Sequence, residues 1–90
     1  MKYKIERSDT TTVFETKKIT LMRKKDFFIK RNEHNDYVIY IHFDNGKVEE
    51  LYYINKNERD KEWERILECC EMDDNPISVS TYVGHLTTGE

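Results

Sequence analysis

The dipeptide Asn45-Gly46, set between two runs of β-branched and aromatic residues, most narrows what this chain can fold into. The runs are Tyr37 to Phe43 and Lys47 to Ile54. A two-residue hairpin loop that matches the twist of its strands needs positive φ at both central positions, which Asn and Gly tolerate. Read as that loop, it sets Phe43 opposite Val48, Ile41 opposite Glu50, Ile39 opposite Tyr52 and Tyr37 opposite Ile54. This face reads as core, with Glu50 as its one discordant member. The other face sets Val38, Tyr40 and His42 against Tyr53, Leu51 and Glu49. It is too apolar to be only a solvated face, which predicts a cover: another strand, the C-terminal segment, a partner or a second copy.

Upstream, Phe27 to Arg31 reads as a strand joined to the hairpin through the polar loop Asn32 to Asp36, giving an antiparallel meander. Lys2 to Glu6 alternates, and Thr11 to Thr16 and Ile19 to Met22 are rich in β-branched residues, so each is predicted as a strand. Ser8-Asp9-Thr10 and Arg23-Lys24-Lys25-Asp26 read as turns. Trp63, Ile66, Leu67 and Cys70 recur at helical spacing and predict an amphipathic helix near 58–72. Asn55 or Asn57 can cap it, and Asp73-Asp74-Asn75-Pro76 ends it. Ile77 to Val83 alternates with period two, as an edge strand or an arm laid on a neighbouring molecule does. The expectation is an α+β domain: a mostly antiparallel sheet of five or six strands against one helix, then a short C-terminal strand or arm.

Ninety residues allow one core and one domain, 1–90, with 85–90 as a flexible tail. Charged residues make up 37% of the chain, well above the roughly 25% of an average domain, so much of the surface is ionic. No stretch approaches the roughly 20 apolar residues of a membrane span, and Met1 to Glu6 lacks the apolar core of a signal peptide. Adjacent Cys69 and Cys70 suit reduced thiols, not a disulfide scaffold. A cytoplasmic protein without membrane contact is expected. The chain has no Ala and no Gln, while Lys, Asn, Ile and Tyr, whose codons are AT-rich, abound. That bias points to a low-GC bacterium, a phage or a mobile element.

Signals of catalysis are missing. There is no G-x-S-x-G turn, and three glycines cannot build the phosphate cradles of nucleotide-binding domains. The cysteines and His34, His42 and His85 lack metal-ligand spacing, so neither metal nor cofactor is expected. The informative pattern is charge segregation. Residues 17–31 hold seven cations and one acid, Asp26, whereas 44–74 hold eleven acids and five cations. This asymmetry predicts neutralisation inside the monomer, a binding surface, or complementary contact between copies. The candidate binding residues are Arg23, Lys24, Lys25, Lys30 and Arg31 with Tyr40, His42 and Tyr53, the last three as stacking groups on the second face of the hairpin. The leading expectation is a non-enzymatic protein-interaction module that inhibits a host protein and forms a homo-oligomer, most simply a dimer. The alternative is a binder of single-stranded nucleic acid or a phosphorylated nucleotide through the basic segment 17–31.

Overall fold

The computed structural model describes residues 1–29 and 34–88 of the chain. In chain order these form β1 (Lys2–Glu6), β2 (Thr11–Glu15), a single 3₁₀ turn (Thr16–Lys18), β3 (Ile19–Ile29), β4 (His34–Phe43), β5 (Val48–Tyr53), α1 (Lys56–Met72) and β6 (Ser78–Thr88). The fold is α+β, as the sequence predicts. A four-stranded mixed sheet has the order β5-β4-β3-β6, and β1 and β2 form a separate antiparallel hairpin. The C-terminal segment is an edge strand of its own sheet, parallel to β3, and it runs to Thr88 into the stretch read as a tail.

Besides the loop read at Asn32 to Asp36, of which His34 to Asp36 already belong to β4, two elements differ from the sequence reading. The cationic stretch Arg23 to Asp26, read as a turn, lies in the middle of the eleven-residue strand β3. Strand alternation sends Lys24 and Asp26 to the face that meets α1, where acids and an arginine await them, and Arg23 and Lys25 to the other face. Tertiary ion pairing thus outweighs the local polarity that suggested a turn.

The hairpin lies where Asn45-Gly46 places it, but its register is one residue away from the predicted one. Gly46 has φ of 86°, and the only described non-glycine residue with positive φ is Asp74, so Asn45 does not adopt the conformation that a two-residue loop requires. Instead Gly46 N–H donates to the Phe43 carbonyl, and Phe43 N–H donates to the Lys47 carbonyl at 2.9 Å, closing a three-residue loop. The Asn45 side chain accepts from Lys47 N–H at 2.9 Å and holds the bend. The pairing is therefore Ile41 with Glu49, Tyr40 with Glu50, Ile39 with Leu51, Val38 with Tyr52 and Tyr37 with Tyr53. A one-residue slip exchanges the two faces of a strand. Leu51 moves to the core, only 3% exposed, and the discordant Glu50 moves out to solvent.

Asn55 caps α1, its side-chain oxygen accepting from the backbone of Asn57 and Glu58. At the far end Asp74 takes the left-handed conformation, and the Asn75 amide donates to the carbonyls of Thr16 and Ile19, tying the helix terminus to the entry of β3. Trp63, Ile66 and Cys70 pack against Met22, Ile39, Ile41 and Leu51 of the sheet. Ile5 and Phe14 carry the small hairpin into the same core, with Phe14 edge-on to Phe43 at 5.5 Å between ring centroids. Helix and hairpin both join this one core. Among the described residues neither is layered on the sheet's opposite face.

Candidate interaction face

The face on which, among the described residues, neither the helix nor the hairpin is layered carries alternate residues of three neighbouring strands. In register these are Leu21 with His42, Arg23 with Tyr40 and Lys25 with Val38 across β3 and β4, then His42 with Val48, Tyr40 with Glu50 and Val38 with Tyr52 across β4 and β5. Val38 is fully buried between its neighbours, whereas Val48 and Tyr52 remain 45% and 49% exposed. The face therefore has a packed centre and an open apolar margin.

Tyr40 is its hub. The Arg23 guanidinium lies 4.8 Å and the Lys25 ammonium 5.7 Å from the centroid of its ring, so the ring's negative face draws both cations to one point. Arg23 Nε–H also donates to His42 Nε2 at 3.0 Å. An imidazole nitrogen that accepts is unprotonated, which places the ring's hydrogen on Nδ1 in a neutral His42. Burial, and then the adjacent Arg23 charge, hold the His42 pKa below its ordinary value. Beside them the Tyr52 hydroxyl donates to Glu50 at 2.7 Å, and this bond is the largest cause of a Tyr52 pKa pushed up to about 12.

Of the eight residues singled out from sequence, Arg23, Lys25, Tyr40 and His42 come together here. Lys24 faces α1 instead, with its ammonium 3.5 Å from Asp60 and 5.2 Å from the centre of the Trp63 ring. Tyr53, expected beside Tyr40, is carried to the helix side by the register. There its hydroxyl bonds Glu62, which also accepts from Tyr3, and the Arg7 guanidinium lies over its ring at 4.7 Å. Tyr53, Glu62 and Arg7, with Glu58, Lys61 and Arg65, line a groove of about 650 Å³ between the end of β1, the end of β5 and α1. Burial chiefly pushes the Tyr53 pKa up to about 12. Lys30 and Arg31 lie outside the described residues.

Sequence reasoning missed Arg59, which is 2% exposed in the buried stripe of α1. Its guanidinium lies 2.8 Å from Asp26 and 2.7 Å from Asp60, donates to the Lys25 carbonyl at 3.0 Å, and sits 5.4 Å from the centroid of Tyr37. A signal was present: Arg59 stands one turn before Trp63 on the core stripe, and Asp26 is the lone acid of the basic run. A guanidinium at a core position needs such acids, because an unpaired buried charge is costly. Through the Lys25 carbonyl, Arg59 grips β3 from behind the face on which Arg23 and Lys25 stand.

The thiols are not activated. Burial pushes Cys70 up to about 11 and raises Cys69 as well, so both stay protonated at neutral pH. Among the described residues no three His, Cys, Asp or Glu side chains gather as a metal site, and no helix is long and apolar enough to cross a membrane. The uncovered face thus offers cations, an aromatic hub and apolar margins, a set suited to holding an acidic and aromatic or aliphatic surface. Comparison of the chain with known protein families, with characterised proteins and with solved structures returned no match.

Proposed function

We propose that this chain is a non-enzymatic protein-interaction module, encoded by a phage or mobile element and acting in the cytoplasm, that binds an acidic surface of a host protein and blocks it. The observation that carries the reading is the uncovered sheet face, where Arg23 and Lys25 converge on Tyr40 and Val48 and Tyr52 stay exposed. Arg and Tyr are the residues most enriched at the energetic centres of interfaces, because each combines a large contact area with directed polar groups. At the rim the Tyr52 hydroxyl donates to Glu50, which orders the acid beside Tyr40. The module works as a homodimer in this reading.

The test is capture from host lysate with the parent chain, Arg23→Glu and Tyr40→Ala side by side. One protein retained by the parent and lost with both variants is the expected result, with Tyr40→Ala weakening binding by roughly 2 kcal/mol, as truncation of an interface centre does. Equal capture by all three chains removes the face from the function.

A second reading, a binder of single-stranded nucleic acid or a phosphorylated nucleotide, is favoured by the same pair of cations beside an aromatic ring. Against it, those cations already lie over Tyr40, where a base would stack. Binding of a labelled oligonucleotide that falls steeply with added salt would select this reading over the first.

A further inference from the structure

The two edges of the four-stranded sheet are treated differently, and the difference points to a partner. At the β5 edge the strand is six residues long, carries Glu49 and Glu50, and has its Tyr52 carbonyl occupied by the Arg7 side chain at 2.8 Å. Short length, charge and covering side chains are the ordinary means by which an edge is kept from pairing with other chains. At the opposite edge β6 is eleven residues long and contains no Lys, Arg, Asp or Glu from Ser78 through Thr88. Ser78, Val79, Ser80 and Thr81 are all exposed, and among the described residues no strand pairs with β6 on its outer side.

We infer that the outer edge of β6 pairs with β6 of a second copy of this chain, antiparallel about a twofold axis, joining two four-stranded sheets into one of eight strands. An antiparallel twofold pairing sets the residues next to the axis against their own copies, so a charge there meets like charge across the seam. A strand free of charge over its whole length fits that requirement. A strand evolved to receive a different protein has no such restriction and gains specificity from charges. The inference gives a seam to the homodimer in the proposed function. It leaves the Arg23–Tyr40 face free for the host protein, since that face lies on the flat of the sheet and not on its rim.

The experiment is light scattering of the full chain at micromolar concentration, alone and as Thr81→Lys, Thr81→Glu and an equal mixture of the two, with Ser78→Lys and Ser78→Glu as a second set. Far-UV circular dichroism confirms that each variant is folded. The parent is expected at twice its 10.9 kDa mass. The charged pair nearer the twofold axis should shift toward monomer by roughly tenfold or more, because like charges there oppose each other, and its mixture should return to dimer. A parent that stays monomeric, or lysine and glutamate variants that remain dimeric, overturns the seam. The two readings fail separately: Arg23→Glu should abolish capture without changing mass, and Thr81→Lys should change mass without abolishing capture.

Discussion

Arg59 of the helix lies 2.8 Å from Asp26 of strand β3, the guanidinium buried between α1 and the sheet and the carboxylate half-buried at its margin. The pair explains how a strand as charged as β3 lies in the middle of a sheet. Its one acid is matched by the helix, while Asp60 serves both Arg59 and Lys24. Replacing Arg59 with Met should leave Asp26 without its guanidinium partner and cost about 3 kcal/mol, the lower end for breaking a buried pair. Urea unfolding measures it. A variant as stable as the parent would show that Arg59 is dispensable.

Asp60 contributes to the acid limit of the fold, as does Asp73, which the Thr16 hydroxyl and the N-terminal ammonium hold below the usual carboxylate range. Burial raises the Asp60 pKa, but the Arg59 hydrogen bond and charge, with Lys24, outweigh burial and hold the carboxyl below its ordinary range. A depressed folded-state pKa gives stability that is present above the unfolded value and lost as pH falls through the folded value. The melting temperature of the parent should therefore drop steeply below about pH 4. In Asp60→Asn that acid-side slope should be shallower.

His42 should titrate below its unfolded value of 6.5, because burial and then Arg23 disfavour its charged form. The unfolded chain then takes up the proton first, so the His42 contribution to stability is full above that value and declines as pH falls toward the folded one. Proton NMR of the His42 ring reads the midpoint directly. Arg23→Gln should raise it, and a midpoint unmoved by that substitution would break the Arg23–His42 contact.

Gly46→Val tests the loop. A Cβ at this position meets nothing within 4 Å, so the whole penalty comes from holding a β-branched residue at φ of 86°. The expected loss is about 1 to 3 kcal/mol. Gly46→Asn should cost distinctly less, since Asn tolerates the left-handed region, and equal costs would argue against a backbone origin.

The register is tested by a pair of neighbours. Leu51 is 3% exposed and Tyr52 is 49% exposed. Leu51→Ala should cost about 2 to 5 kcal/mol. Tyr52→Ala should change stability by only about 0.5 kcal/mol. The opposite ranking would restore the alignment in which Ile39 faces Tyr52.

The legible parts of this protein are those specified by local periodicity. Trp63, Ile66 and Cys70 announce the buried stripe of the helix, Asn55 its cap, and the runs around Asn45-Gly46 the hairpin. What local pattern could not decide is how Asn45 resolves between two loop geometries of similar cost, and that single choice decides whether Leu51 or Tyr52 is buried. The misplacement of Tyr53 among the candidate binding residues follows from it. Likewise, Arg23 to Asp26 looks like a turn until Arg59 and Asp60, more than thirty residues on, are brought beside it. Of the candidate residues, Arg23 and Lys25 stand out by the basic run and Tyr40 and His42 by the second face of the hairpin, whereas their meeting follows from the β3–β4 pairing, which the reading of 23–26 as a turn does not contain.

The parallel pairing of β6 with β3 also gives the fold a time order. Leu21 meets Ser78 and Met22 meets Val79, contacts that span well over half of the chain, whereas β3, β4, β5 and α1 are joined by short connections. Distant pairings close slowly, and during synthesis the segment that supplies β6 leaves the ribosome after the strands and helix that precede it. Until it does, β3 presents an open flank alongside Arg23, Lys24 and Lys25. These cations are then placed to keep newly made chains from sticking to one another.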